Sequence, residues 1–486
     1  MKKRFCILCI FFITFFLFAE ETDIHSTSQI VSTEELLAGY LERDSEIKNL
    51  TIELQKEKIS QQIKDIENGF DISLSTGDMT FRFDDSTFSV KPRVEASFPT
   101  NTNLKASVSG DFAFNLGGTN ESSGESESLT NISLKLSTDI ISTTALEKEI
   151  ENLKTQRKIL EAERKLKSKA LEKEKSFYSE YKTLLNTIAS IIKKEQTYYD
   201  DKINFEKIKA QGYAKTSSSY RRAEMAVLSD EHEIETTKRN FIIDYKIFYL
   251  KCGKRIDIGA ADYETIDFIQ FVPDDIPEVE PLNVHDFDPA NYTGTESAVW
   301  TNKINTMTRS TERKFSLTAS GGYTFKNSKT SSNTVDVGVD ATYGGLTLGA
   351  ETNLPISNNF TPAVTLSASI KPNTFKKNKL EAKKEELTEQ QELMSISDAK
   401  IDFGTKALEK DLKLADINWE RTKNNENLTL YESLENDMLK WYNQGVITES
   451  EYLSAKVNRQ QASVTKIINL IDMIVYNCEI KTMFVE

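Results

Sequence analysis

Two stretches, 143 to 209 and 375 to 442, are rich in Lys, Glu and Leu and read as unbroken helices. Each holds roughly 67 residues and so spans about 100 Å at 1.5 Å per residue. A compact globular domain has no use for that length. In the first, Phe177, Leu184, Ile191, Tyr198 and Phe205 recur by sevens, with Tyr181 and Ile188 between them. In the second, Leu380, Leu387, Met394, Ile401 and Leu408 do the same. This is coiled-coil spacing. The apolar stripe is narrow and the remaining faces are charged. Such a helix suits either the wall of a water-filled tube or a rod-like coiled coil.

The two helices belong to a duplication. Each half has a β-patterned stretch, a long helix, a Gly break and a shorter helix. Leu146 and Leu380 are offset by 234 positions, Gly212 and Gly445 by 233. Cys252 and Cys478 close the two return helices. The β-patterned stretches alternate apolar and polar residues. Leu104, Ala106, Val108, Phe112, Phe114 and Leu116 alternate with Lys105, Ser107, Ser109, Asp111 and Asn115. Phe70, Ile72 and Leu74 precede them, and Ile132, Leu134 and Leu136 follow. In the second half Phe315 to Phe325, Val335 to Tyr343, Leu346 to Ala350 and Val364 to Ile370 repeat the pattern. Several runs reach the roughly 9–11 residues that a tilted strand needs to cross a bilayer. The pattern fits a barrel with lipid outside and water inside. Alternation alone leaves a water-soluble sandwich open; the export signal and the long helices favour the barrel.

That signal is at the N-terminus. Lys2, Lys3 and Arg4 precede an apolar run, Phe5 to Phe18, and Leu17-Phe18-Ala19 offers a cleavage site before Glu20. The run is too short for a spanning helix, and no second apolar segment of about 18 residues follows. Cys6 and Cys9 lie within the run rather than after it, so no lipid-attachment site is read. The formal net charge is −14, which argues against nucleic-acid binding. Beyond the signal only Cys252 and Cys478 remain. One bridge is open to them, but two unpaired thiols at helix ends is the expected state, not a disulfide scaffold. His25, His232 and His285 have no metal-ligand spacing around them. No nucleophile motif or phosphate-binding glycine loop occurs, so neither an enzyme nor a cofactor is expected.

The sharpest local motif is "YNQGVITESEYLSAK" at 442–456. Gly445 can end the long helix in the left-handed conformation. Thr448 and Glu451 have the spacing of a capping box that restarts it. The looser counterpart is "KAQGYAKTSSSYRRA" at 209–223.

With the duplication and the β-segments, this stretch makes the chain similar to the TolC-like outer membrane efflux family. The family's second-repeat tip reads roughly Tyr-x-x-Gly-x-x-Thr-x-x-Asp-x-Leu-x-Ala. Tyr442, Gly445, Thr448, Leu453 and Ala455 match in register, with Glu451 at the Asp position. In the first tip Gly212 is present, Ser218 takes the acidic position and Ala223 sits one residue late.

The resemblance implies an α+β membrane protein with two internal repeats, in which a trimeric β-barrel continues into a long α-helical coiled-coil barrel. It divides the chain into a signal peptide (1–19), an N-terminal segment and helix (20–69), strands (70–140), a helical hairpin (141–252, tip near 209–217), an equatorial linker (253–295), a short helix (296–313), strands (314–372) and a second hairpin (373–486, tip near 442–448). The strand regions depart from the family: each holds four strand-like runs where the family has two. Either each repeat carries an additional hairpin, or bulges split longer strands. The polar stretches 117–128 and 326–333 would be external loops.

By the same resemblance the protein is an outer-membrane exit duct with its helical part in the periplasm. Its partners are a homotrimer's other copies, outer-membrane lipid, a periplasmic adaptor and an inner-membrane pump. Gly212, Tyr442, Gly445, Val446 and Thr448 are the adaptor-contact residues. Glu451, Ser454 and Ser218 are the entrance-constriction positions. Ser454 replaces a family acid and Ile447 a basic residue, which implies a less tightly latched entrance. The alternative is a structural periplasm-spanning coiled coil or surface adhesin.

Overall fold

The computed structural model describes residues 26–27, 31–67, 71–77, 79–82, 87–98, 104–115, 131–141, 144–258, 266–311, 315–326, 332–343, 346–356 and 361–485. The signal peptide, His25, Phe70, Leu116 and most of the two polar loops lie outside them. The described chain is mixed α and β. Its helices are α1 (Thr33–Arg43), α2 (Ser45–Glu67), α3 (Thr144–Ala210), α4 (Ser218–Lys251), α5 (Thr293–Thr311), α6 (Pro372–Asn443) and α7 (Glu449–Met483). The chain divides into two compact units.

One unit comprises residues 1–51, 165–288 and 405–485. Its helical segments pack side by side through an aromatic and aliphatic core. Phe177, Leu185, Ile188 and Ile191 of α3 meet Phe241, Tyr245 and Phe248 of α4, and the cluster reaches Val464 and Ile471 of α7. Most of the first heptad stripe is therefore core. Charged pairs stitch the rims: Lys238 reaches Glu195 at 2.8 Å, and Lys182 reaches Asp472 at 2.5 Å.

Among its described residues the linker is 3-10 turns and extended chain rather than one helix. Its Phe268 and Phe271 plug the core against Phe241, at 5.4 Å each between ring centroids. Asn477 holds its backbone by donating to the Glu280 carbonyl at 2.9 Å and accepting from the Leu282 amide at 2.8 Å. Cys252 and Cys478 are both free and buried, and burial pushes each thiol up to about 12. They are inert packing groups.

The other unit comprises 52–164, 289–404 and 486. Its helical part is a row. Lys58 and Lys64 of α2 reach Glu163 and Glu151 of α3 at 3.0 and 2.9 Å. Arg157 of α3 forks onto Glu296 of α5, beneath the Trp300 ring. Arg309 of α5 binds Glu392 of α6 through two bonds of 3.0 Å. The order α2–α3–α5–α6 leaves an outer flank on α2 and another on α6. Both flanks carry heptad-spaced apolar residues in the open. On α2 these are Ile52, Ile59, Ile63 and Ile66; on α6 they are Leu380, Leu387, Met394 and Ile401, the last two 65% and 66% exposed. The second heptad stripe thus stays open along this part of α6, which ends the row, whereas the first, in the other unit, is core.

The rest of this unit is one sheet of ten segments: β1 (Asp71–Ser75), β2 (Met79–Arg82), β3 (Thr87–Val90), β4 (Arg93–Ser97), β5 (Lys105–Asn115), β6 (Asn131–Ile141), β7 (Phe315–Lys326), β8 (Asn333–Tyr343), β9 (Leu346–Ile356) and β10 (Ala363–Ile370). All described pairings in it are antiparallel. From β10 the order is β9, β8, β7, β6, β5, after which β4 and β3 share the length of β5. The β4 segment pairs onward with β1, and β3 with β2. Hence β3 and β4 are two pieces of one broken strand, and β1 and β2 are two pieces of the next.

The break is local chemistry. Pro92 has no amide hydrogen to donate. Between the pairs Ser75–Arg93 and Met79–Val90 the outer strand carries one residue more than the inner, a bulge. At Gly77 a Cβ would meet the Lys91 carbonyl oxygen at 1.8 Å. Each repeat therefore contributes four strands. Both explanations of the extra runs operate: an additional hairpin in each repeat, and a bulge that splits one hairpin in the first.

Candidate functional site

The sheet sorts its side chains by chemistry. Register places Val108, Leu134 and Tyr323 in one row, and Ala106, Leu136 and Gly321 in the next. Val337, Val339, Leu348, Val364, Leu366 and Ile370 extend the same face, and all six are exposed. Among the described residues no charged side chain lies on that face. Arg93, Glu95, Lys105, Lys135, Asp139, Asp336, Asp340 and Glu351 all lie on the other, among Ser, Thr and Gly. Apolar groups left open across a whole sheet mark contact with another apolar phase or partner.

Aromatic residues stand at both ends of the apolar face. Phe315 pairs with Tyr343 at one end; Phe325 and Phe112 stand at the other. Phe315 and Phe325 are ten residues apart on β7. At about 3.3 Å per residue and a tilt near 40° the apolar band between them is about 25 Å tall. Those are the dimensions of a sheet set in hydrocarbon with water on its other side. No described helix is long and apolar enough to cross a membrane.

The second feature is the pair of helix reversals. At the second, α6 ends in a Schellman motif. The Val446 amide donates to the Trp441 carbonyl and the Gly445 amide to the Tyr442 carbonyl, both at 2.9 Å, with Gly445 at φ 74°. Thr448 then caps α7. Its hydroxyl accepts from the Glu451 amide at 3.3 Å, and the Glu451 carboxylate accepts from the Thr448 amide at 2.9 Å, completing the capping box. Tyr442 stacks on Tyr452 across the turn at 5.6 Å. Val446 is 68% exposed.

Glu451 thus commits one carboxylate oxygen to its own cap. Ser454 donates to Asp200 of α3 at 3.1 Å, tying the second tip to the first repeat. At the first reversal Gly212 has φ 80°, and its amide bonds the Lys209 carbonyl at 3.0 Å. The cap there is Ser217, which accepts from the Tyr220 amide at 3.2 Å, while Ser218 is an exposed first-turn residue. Sequence reasoning passed over Ser217 because a run of three serines hides which one caps.

Gly445→Ala forces a Cβ into the left-handed region, at a cost of about 1 kcal/mol. The expected result is a fall of that size in unfolding free energy, checked by urea titration. Thr448→Ala should cost about as much through the lost cap.

Comparison with known proteins adds the following. No curated protein matches the sequence. Among solved structures, a membrane protein from Pseudomonas aeruginosa is 10% identical, with 94% of this chain and 91% of that one covered and a TM-score of 0.43. The outer membrane protein VceC from Vibrio cholerae is 11% identical, with 93% and 96% covered and a TM-score of 0.42. The CmeC outer membrane channel from Campylobacter jejuni is 12% identical, with 96% and 91% covered and a TM-score of 0.42. Among family models, the TP096X N-terminal domain matches residues 36–276 and the TP096X C-terminal domain matches residues 277–486. Adjoining and in that order, the two matches leave only residues 1–35 outside, and the chain therefore carries both TP096X domains.

Proposed function

We propose that the protein is an outer-membrane channel: the exit duct of a tripartite efflux or type I secretion system, passing small molecules or proteins from the periplasm to the exterior. The observation that carries this reading is the single sheet with one exposed apolar face and all its described charges on the other. The N-terminal export signal supports it. In this reading the strand regions 70–140 and 314–372 sit in the outer membrane. The helical hairpins 141–252 and 373–486 reach into the periplasm, and 253–295 forms the belt. The working unit is a homotrimer.

The tips are the docking point for a periplasmic adaptor and its pump, with Gly212, Tyr442, Gly445, Val446 and Thr448 in contact. A duct carries out no bond chemistry, and its driving free energy comes from the pump. Acids on the helices that pair with Lys or Arg, such as Glu151 with Lys64 and Glu195 with Lys238, do so on exposed or half-buried rims.

The test is extraction and conductance of the full-length protein. A channel leaves the outer-membrane fraction only with detergent and conducts ions in planar bilayers. Release by salt or urea, or an absence of conductance, would leave the rod or adhesin reading instead.

Glu451, Ser454 and Ser218 are the entrance positions in this scheme, with one Glu ring and no second acid. Glu451→Gln keeps an acceptor for the cap and removes the charge. It should weaken block by divalent cations added from the tip side and reduce cation selectivity. Unaltered conductance and block would sink the assignment.

A further inference from the structure

On either side of β7 the polar face of the sheet separates its unpartnered charges by sign. Lys105 of β5 and Lys135 of β6 lie to one side; Asp340 of β8 and Glu351 of β9 lie to the other. All four are exposed, and among the described residues none has an ion pair or a side-chain hydrogen bond. Neighbouring charges are already engaged. Arg93 bridges to Glu95 at 3.0 Å, Lys91 to Asp111 at 3.7 Å, and Asp336 of β8 accepts from Asn353 at 2.5 Å. Asp139, four residues along β6 from Lys135, has a partner of its own.

Opposite charges on adjacent strands stabilise a sheet, yet here β7 holds them apart. Its polar side presents Ser316, Thr318, Ser320, Gly322 and Thr324, with no charge before Lys326 at its end. Register puts Lys135, Gly322 and Asp336 in one row, and Lys105, Ser137, Ser320, Gly338 and Glu351 in the next. Each row runs from an ammonium to a carboxylate across small side chains or none. At about 4.8 Å per strand, Lys135 and Asp336 stand about 10 Å apart at the backbone. The result is a neutral trough with a basic bank and an acidic bank.

We infer that this trough takes zwitterionic solutes of peptide type and so sets the class of cargo that the duct favours. The solute's carboxylate turns to Lys105 and Lys135, and its ammonium to Asp336, Asp340 and Glu351. The inference rests on the channel reading, in which the polar face lines the bore, and deepens it by naming a substrate class. A lining of one sign favours ions of the other sign. Two banks of opposite sign favour a solute that carries both. An extended tripeptide spans about 10 Å, the backbone width of the shorter row.

The experiment is conductance of the full-length protein in planar bilayers, with probes added on the barrel side. Triglycine carries both charges, N-acetyl-triglycine only the carboxylate, triglycinamide only the ammonium, and N-acetyl-triglycinamide neither. Each solvated ion pair is worth a few-fold in affinity, so triglycine should reduce the current at about threefold lower concentration than either singly charged form. That preference should shrink on going from about 0.1 M to about 1 M salt, where the screening length falls to about 3 Å.

Lys105→Gln with Lys135→Gln should bring triglycine down to the level of triglycinamide. Asp336→Asn, Asp340→Asn and Glu351→Gln together should bring it down to the level of N-acetyl-triglycine. Lys105→Glu, Lys135→Glu, Asp336→Lys, Asp340→Lys and Glu351→Lys together exchange the banks and should keep the preference. Heat-modifiable gel mobility shows which variants are folded, and the wild-type comparison decides the matter if one is not.

Equal action of triglycine and its two singly charged forms on the wild type overturns the proposal and leaves the channel in place. So does a preference that survives loss of both banks, or one that follows a single sign of charge. Protein that carries no current at all overturns the channel reading and the proposal with it.

Discussion

Arginine at Leu136 or Leu366 is expected to remove the protein from the outer-membrane fraction, whereas arginine at Ser137 is expected to leave it there. Leu136 and Leu366 lie mid-strand on the apolar face and are exposed. An arginine near the middle of the hydrocarbon costs about 2–4 kcal/mol in a membrane barrel. That corresponds to roughly 30-fold or more in the folded, inserted population. Ser137 occupies the next position on β6 but faces the polar side, beside Lys105. The contrast between adjacent residues is what matters, because a general folding defect would affect both. Membrane fractionation and heat-modifiable gel mobility read the result. Equal tolerance at 136 and 137 would mean the apolar face meets something other than lipid.

Glu479→Gln is expected to be the most damaging removal of a single charge in the helical unit at neutral pH. Glu479 on α7 receives Lys175 of α3 at 2.7 Å and Lys410 and Lys413 of α6 at 2.6 and 2.7 Å. Burial pushes its carboxyl up, but the three ammonium groups outweigh burial and bring it down to about 2. The folded state therefore holds the carboxylate more strongly than the unfolded chain does. The resulting stability is fully present above the unfolded value near 4.5 and is lost as pH falls through about 2. Discounted for partial solvation, it amounts to on the order of 2 kcal/mol. The glutamine variant should unfold at lower urea at pH 7, and its deficit against wild type should shrink between pH 4.5 and pH 2. A deficit that does not vary with pH would show that Glu479 acts by shape rather than charge.

The reversals were legible because their chemistry is local. Gly445, Thr448 and Glu451 make their bonds within a few residues of one another, so spacing alone predicts the Schellman and capping geometry. Ser454 was not legible in the same way. Its partner, Asp200, lies on another helix 254 positions away in sequence. The broken strands were half legible. Alternation revealed four runs per repeat, but only pairing showed that 71–75 and 79–82 extend one strand around a bulge.

The amino-acid sequence by itself determined the periodicities: two long heptad helices, two turn motifs and a set of strands that separate charge from hydrocarbon. These follow from neighbours within a turn of helix or a pair of strand residues. Only the tertiary structure decided which apolar stripe is core and which is surface. Phe177 and Leu380 share the same spacing, yet Phe177 is fully buried and Leu380 is 71% exposed. The physical reason is what each face meets. Phe177 packs against Tyr40 of α1 and Phe248 of α4, whereas Leu380 lies on the stretch of α6 that ends the row of the other unit, and spacing along a chain does not record what a helix face will meet.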